Sequence, residues 1–289
     1  PQDGIRDSVA SRGLGDVYKR QVHHLIMPEL PEVESIRRQL KPLLLDRYVT
    51  ESDSHPSDKF IAAREIVGLG FEAILRRGKY LLFTLDNGTE MVIHLGMTGQ
   101  LIPEIDLSDP HLRAWWKLDN NVILGYRDVR RFGRIRIYSP GEYEGTLKNL
   151  GPEPLSEDFT VDQFYTSLKR SNRKIKTQLL SQLPVAGVGN IYADEACFQA
   201  GIYPGVRKLT RAKTADLHRS IRKVLSSAVE NGGTTLRDYV NVDGEQGKNQ
   251  HYLVCYGRDG EPCINCGEEL RRTIIDGRGT TFCRSCQRR

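Results

Sequence analysis

The sequence predicts an α+β chain of several domains: an N-terminal β-sandwich with a leading helix, a helical domain, and a small C-terminal module organised by four cysteines. Three observations predict this. Apolar and polar residues alternate through much of 71–140, with turn signals between the runs; the period becomes helical beyond residue 159; and two Cys-x-x-Cys pairs lie near the end. At 289 residues the chain is long enough for about two domains with cores of their own. Apolar residues at 38% and charged residues at 27% exclude a wholly disordered chain. No apolar run reaches the roughly 18–20 residues that a membrane helix needs.

Residues 1–26 (PQDGIRDSVASRGLGDVYKRQVHHLI) sustain neither a helical nor a strand period, lack the apolar segment of a signal peptide and do not begin with Met. They are expected to be a non-native or disordered leader. A helix is expected from Glu32, with Val33, Ile36 and Leu40 at i, i+3 and i+7, acids in its first turn and Pro42 at its end. FEAILRRGKYLLFTLDNGTEMVIHLGM (71–97) reads as two apolar strands joined by Asp86-Asn87-Gly88. WWKLDNNVILGYRD repeats the pattern around Asn120-Asn121, and RFGRIRIYS alternates through Ile135 and Ile137. Residues 27–140 are therefore read as the β-sandwich domain and 141–159, with GPEPLSEDF, as a linker. Helices near 160–170, 173–182, 190–200 and 210–230 place a helical domain at 160–250, leaving 251–289 for the cysteine module.

Cys263-x-x-Cys266 and Cys283-x-x-Cys286 supply two tight knuckles whose thiolates can close a tetrahedron around one Zn²⁺. Four thiolates leave no open coordination position, so the zinc is expected to be structural and to supply folding free energy to the module. Cys197 and Cys255 are read as ordinary buried thiols. Cysteines used this way, with no secretory segment, argue for a reducing, cytoplasmic setting. The net charge is only +5, but 271–289 holds six arginines against Asp276 alone. That suits either a polyanion partner or a solvated tail, and Arg278 and Arg284 could present guanidinium groups to phosphates.

In the helical region, GVGNIYADEA (187–196) places glycines and Asn190, a candidate N-cap, before a helix. Such a turn exposes N–H groups and can bind an anion. KRSNRKIK (169–176) is strongly basic, which fits a solvated helix face or a neighbour of that phosphate loop.

PELPEVE (28–34), RRGKYLL (76–82), HLGMTG (94–99), RDVRRFG (127–133), LGPEPL (150–155), GVGNIYADE (187–195), GGTTLRDY (232–239) and VCYGRDGEPC…FCRSC (254–286) together resemble the formamidopyrimidine-DNA glycosylase (Fpg) family. The resemblance runs from Met27 to Gln287 and implies a helix–two-turn–helix in the second domain and a zinc-finger hairpin in the third. It also implies a DNA glycosylase/AP lyase of base excision repair, a monomer acting on duplex DNA that carries oxidised purines or abasic sites. Pro28 would be the nucleophile, which requires its nitrogen to be an N-terminal amine, because an amide nitrogen cannot attack. Met27 is accordingly expected to be the initiator.

The same resemblance makes Glu29 the acid/base group and gives Lys79 and Arg278 parts in elimination. Met97, Arg130 and Phe132 would fill the gap left by the extruded nucleotide, and His111, Arg173, Lys176 and Asn190 would contact DNA. The loop 241–250 would cover the extruded base, although Glu245 stands where a basic residue is frequent. Two alternatives stay open: an endonuclease VIII-like preference for oxidised pyrimidines, or a non-catalytic DNA-binding zinc protein if residues 1–26 remain attached.

Overall fold

The computed structural model describes residues 27–236 and 239–288, so the expected leader lies outside the described residues. The first helix, α1 (Leu30–Leu44), begins two residues earlier than its apolar period suggests. A capping box explains this: the Glu29 side chain accepts from the N3 backbone, while Glu32 accepts from the Glu29 N–H. Pro42 does not end the helix but lies in its last turn, where it removes a single backbone donor. Burial of Leu40 and Leu44 holds that turn in place.

Eight strands follow: β1 (Val49–Ser54), β2 (Phe71–Arg77), β3 (Tyr80–Leu85), β4 (Glu90–His94), β5 (Gly99–Pro103), β6 (Leu112–Leu118), β7 (Ile123–Asp128) and β8 (Arg134–Tyr138). They form two antiparallel four-stranded sheets, β1-β6-β7-β5 and β2-β3-β4-β8. One apolar core lies between them, built from residues such as Phe71, Phe83, Ile93, Trp116 and Tyr126 and closed by Val33, Ile36 and Leu40 of α1. The stretch 71–97 holds three strands rather than the two expected. The additional turn is at Gly78-Lys79, where Gly78 adopts φ +55°. That turn puts Lys79 at the tip of a hairpin instead of within a strand.

The segment after the sandwich is pinned rather than free. Glu153 accepts from Arg76, Arg77 and the Gly78 N–H, fixing it to the β2–β3 turn. A short helix, α2 (Gly145–Lys148), leads to α3 (Val161–Lys169), α4 (Ile175–Leu180), α5 (Asn190–Gln199) and α6 (Arg211–Glu230). Residues Ile191–Phe198 of α5 are all buried, so this helix is the hub on which the others pack. The C-terminal hairpin pairs β9 (Arg271–Ile275) with β10 (Arg278–Phe282).

Two acids of α5 fasten the hairpin module to the helices. Asp194 accepts from the Lys176 ammonium at 2.7 Å and from the Thr281 N–H at 3.0 Å. Glu195 accepts from the N–H groups of Val254, Cys255 and Tyr256. Lys176 also donates to the Gly279 carbonyl and the Thr280 hydroxyl, so all three of its hydrogens are used inside the protein. Removing one partner of a buried pair strands the other, at a cost of about 3–5 kcal/mol. Lys176→Met is expected to destabilise by that amount in denaturant titrations. The loss should be greater at pH 8 than at pH 5, because Asp194, raised to about 6 by burial, can escape the penalty by protonating.

Candidate active site

Pro28 and Glu29 are buried where the chain enters α1. The Leu30 N–H donates to the Gly187 carbonyl at 3.1 Å, which seats this entry against the turn before α5. The Glu29 carboxylate accepts from the N–H groups of Gly189 at 2.5 Å and Ile191 at 2.8 Å. It thereby occupies the positive end of α5. A Cβ at position 189 would come within 2.3 Å of the Glu29 carboxyl carbon and 2.6 Å of the Lys79 ammonium. Only glycine lets the two side chains meet over the helix end.

This arrangement corrects two expectations. The N-cap is Gly189, and Asn190 is the first helical residue. The anion bound by the turn is the protein's own Glu29 rather than a phosphate. The Asn190 side chain instead donates to the Tyr256 hydroxyl at 3.3 Å, at the edge of the same helix end.

Burial pushes the Glu29 carboxyl up to about 7, against the opposing pull of Lys79 and the two backbone donors. Burial lowers Lys79, whose charge is supported by Glu29 and Glu32 and opposed by Arg278. Glu32 joins the site to its surroundings. Its carboxylate accepts from the Glu29 N–H, the Tyr192 hydroxyl and the Thr234 N–H. Its carbonyl accepts from Tyr239 at 3.3 Å, where the chain enters the 241–250 loop. That loop is tied to α1 through Gln39, which bonds the Val242 N–H and the Asp243 carboxylate.

Met97, Arg130 and Phe132 form one cluster. An Arg130 nitrogen lies 3.7 Å from the Met97 sulfur, and its guanidinium sits 4.7 Å from the centre of the Phe132 ring. Fully buried Asp128 organises them, accepting from Thr98, the Arg130 N–H and the Gly133 N–H. It welds the β4–β5 loop to the β7–β8 loop and leaves Phe132 47% exposed. Half-buried His111 stands beside this weld, since its carbonyl accepts from the Asp128 N–H. Sequence reasoning missed Asp128, although an acid two residues before Arg-Arg-Phe was a signal.

A cleft of about 720 Å³ runs from Met27 and Lys79 to Phe132, so the chain entry and the exposed wedge share one opening. His94 lines it and was also missed. Burial lowers its pKa to about 4, with Lys79 and Arg134 adding to the effect. The ring is therefore neutral at pH 7, and its Nδ1 accepts from the Gly96 N–H.

Arg278 opens β10 and is exposed; together with Arg173 it borders a smaller hollow between α4 and the hairpin. Lys176 also borders this hollow but is 1% exposed and saturated with internal partners. It fastens the hairpin and has no hydrogen left for the phosphate contact expected of it.

The four thiolates of Cys263, Cys266, Cys283 and Cys286 lie within 4.8 Å of one another. Cys263 and Cys286 are 3.9 Å apart and Cys266 and Cys283 are 3.5 Å apart. A tetrahedron with Zn–S bonds of about 2.3 Å has edges of about 3.8 Å, so the donor set fits one structural zinc. Cys197 and Cys255 are fully buried outside the set, and burial holds the Cys197 thiol up at about 12.

Comparison with known proteins agrees with this architecture. The formamidopyrimidine-DNA glycosylase N-terminal domain matches residues 27–135, its H2TH domain matches 150–240, and the zinc finger found in FPG and IleRS matches 260–289. A formamidopyrimidine-DNA glycosylase of Bacillus licheniformis is 44% identical over 91% of this chain and all of its own length. The chain belongs to the formamidopyrimidine-DNA glycosylase family. Among solved members, the crystal structure of the Thermus thermophilus Fpg protein superposes with a TM-score of 0.83, at 44% identity, covering 90% of this chain and 98% of that one. A Lactococcus lactis Fpg mutant in complex with Fapy-dG-containing DNA gives 0.82 at 35% identity, covering 91% of this chain and all of its own. The family's zinc finger and the cysteine geometry assign one structural zinc to this chain. No helix among the described residues is long and apolar enough to cross a membrane.

Two outcomes follow from this geometry. Metal analysis should find one zinc per chain, and Cys283→Ser or strong chelation should remove it and expose the hairpin amides to rapid hydrogen exchange. Glu29 should also shape the dependence of stability on pH. Its folded value of about 7 lies above the ordinary value of 4.5. The folded state therefore holds the extra proton between these values, and stability falls as pH rises through that window. Glu29→Gln should remove about 3 kcal/mol of that decline between pH 4.5 and 7, measured as the difference between the two stability curves.

Proposed function

We propose that the chain is a bifunctional DNA glycosylase/AP lyase of base excision repair, removing oxidised purines such as 8-oxoguanine and formamidopyrimidines from duplex DNA. One observation carries the reading. A buried carboxyl with a pKa near neutrality adjoins Pro28 and faces Lys79, which lines a cleft that reaches the exposed Phe132. Family membership supplies the reaction to which such a site belongs.

In this reading the Pro28 nitrogen attacks C1′, and the C1′–N bond breaks as the base leaves with its electron pair and a proton. Glu29 protonates the sugar O4′, the C1′–O4′ bond opens, and an iminium joins Pro28 to the opened sugar. Loss of a C2′ proton expels the 3′ phosphate, and a second elimination, aided by Arg278, expels the 5′ phosphate. Hydrolysis then frees Pro28. Lys79 contacts the lesion's backbone and lowers the Glu29 pKa, keeping that group able both to give and to take a proton.

Met97, Arg130 and Phe132 enter the space vacated by the extruded nucleotide. Arg130 supplies donors to the orphaned base, and Phe132 wedges the step. His111, Arg173 and Asn190 contact the DNA backbone. Residues 27–140 form the catalytic domain, 160–250 the helix–two-turn–helix domain and 251–289 the zinc finger, with 241–250 covering the extruded base. The active form is a monomer acting in the cytoplasm at the nucleoid, and it begins at Pro28.

Borohydride trapping on an 8-oxoguanine duplex tests this. A form starting at Met27, with that Met removed, should crosslink to the DNA, whereas a chain retaining residues 1–26 should not. Absence of a crosslink from the processed form would contradict the mechanism. Glu29→Gln should lower single-turnover excision by about 10²–10⁴-fold, and the parent rate should decline above about pH 7 as Glu29 loses its proton.

A further inference from the structure

We propose that the base of the zinc hairpin carries a second phosphate-binding site, which grips duplex DNA flanking the lesion. The inference rests on the glycosylase reading and extends it to a surface with no part in the chemistry. A hollow of about 510 Å³ opens there, lined by Tyr203, Arg271, Phe282, Arg284, Gln287 and Arg288. Among the described residues its lining contains three guanidinium groups and no acid.

The three arginines are exposed, and among the described residues none of their side chains makes an ion pair or a hydrogen bond. Asp259 and Glu269 adjoin Arg271 in a neighbouring hollow without pairing to it. Each guanidinium thus keeps its donors for an external anion, and like charges gathered without a paired carboxylate favour a polyanion.

The hollow is built on ordered parts. The Tyr203 and Phe282 rings meet edge to face at 4.9 Å and form its floor. Buried Gln287 accepts from the Cys283 N–H and donates to the Ile202 carbonyl. The Tyr203 N–H holds the Arg288 carbonyl at 3.2 Å. Arg271 opens β9, Arg284 lies inside the Cys283-x-x-Cys286 knuckle, and Arg288 is tied to the chain that follows α5, so none of them sits on a loose tail.

Strand register relates this hollow to the active site. Arg278 pairs with Ile275 and Phe282 pairs with Arg271, so alternation puts all four on one face of the hairpin. Arg278 stands at the tip and Arg271 at the base, four residues apart along the ladder, or about 14 Å. That is about four base pairs of axial rise. A backbone held by Arg278 near the lesion can therefore reach the hollow only if the duplex extends several base pairs beyond it.

Duplex length supplies the test. Binding to DNA carrying an abasic-site analogue would be followed by fluorescence anisotropy over a range of salt, with arms of about three or about twelve base pairs extended on each side in turn. The parent should bind the long duplex at least about 10-fold more tightly on one of the two sides. R271A/R284A/R288A should remove that advantage while leaving the short duplex unaffected. Its salt slope on the long duplex should fall by about two to three, since each phosphate contact contributes about 0.9. R271A/R288A, which leaves the knuckle sequence intact, should show the same trend, and a zinc content of one per chain confirms the fold.

Equal losses on both lengths, or none, would overturn the site. So would unchanged DNA binding accompanied by lost binding of a polyglutamate peptide, which would make the hollow a protein-docking surface. Failure of the parent to trap on a duplex carrying 8-oxoguanine in place of the analogue would instead contradict the glycosylase reading, while the length dependence of binding would still decide the hairpin site.

Discussion

The structure depends on one contact between domains: the Glu29 carboxylate bound by the Gly189 and Ile191 N–H groups at the start of α5. It joins the first residues of the sandwich domain to the central helix of the second. Burial favours the neutral acid, while the helix end and Lys79 favour the anion. These opposing effects leave the group near pH 7. An exposed carboxyl would be ionised throughout, and a buried one with no donors would be protonated throughout. The same contact that aligns the domains also prepares an acid that can return as a base.

The rest of α5 extends this arrangement. Asp194 and Glu195 hold the Lys176 ammonium and the backbone leading into the zinc module, so one helix orients the chain entry, the basic α4 and the hairpin carrying Arg278. A helix buried on all sides can do this only because its acids are satisfied by fixed donors. The zinc then sets the far end of the hairpin, as the module lacks an apolar core large enough to do so. On the sandwich side Asp128 plays the corresponding part, fixing two loops so that an aromatic ring stays exposed.

Much of this was legible in the sequence. Alternation and turn residues gave the strands of the sandwich, doubled Cys-x-x-Cys spacing gave the metal site, and the helical segments fell close to their expected positions, because each rests on a local period or spacing. The failures share a cause. The Gly78-Lys79 turn lacks the Asn-Gly signal that marks the Asn87-Gly88 turn, and Pro42 sits in a helix because tertiary burial outweighs its local cost. Lys176 looked like a solvated cation because its partners lie 18 and more than 100 residues away. The occupant of the Gly187–Asn190 turn could not be read locally, since Glu29 arrives from the opposite end of the chain.

The most direct test of the central claim is a carboxyl NMR titration of protein labelled at Glu side chains, with Glu29 assigned by its loss in Glu29→Gln. The expected Glu29 midpoint is near 7, moving higher in Lys79→Met as the opposing cation is removed. A midpoint near the ordinary 4.5, unmoved by that substitution, would contradict it.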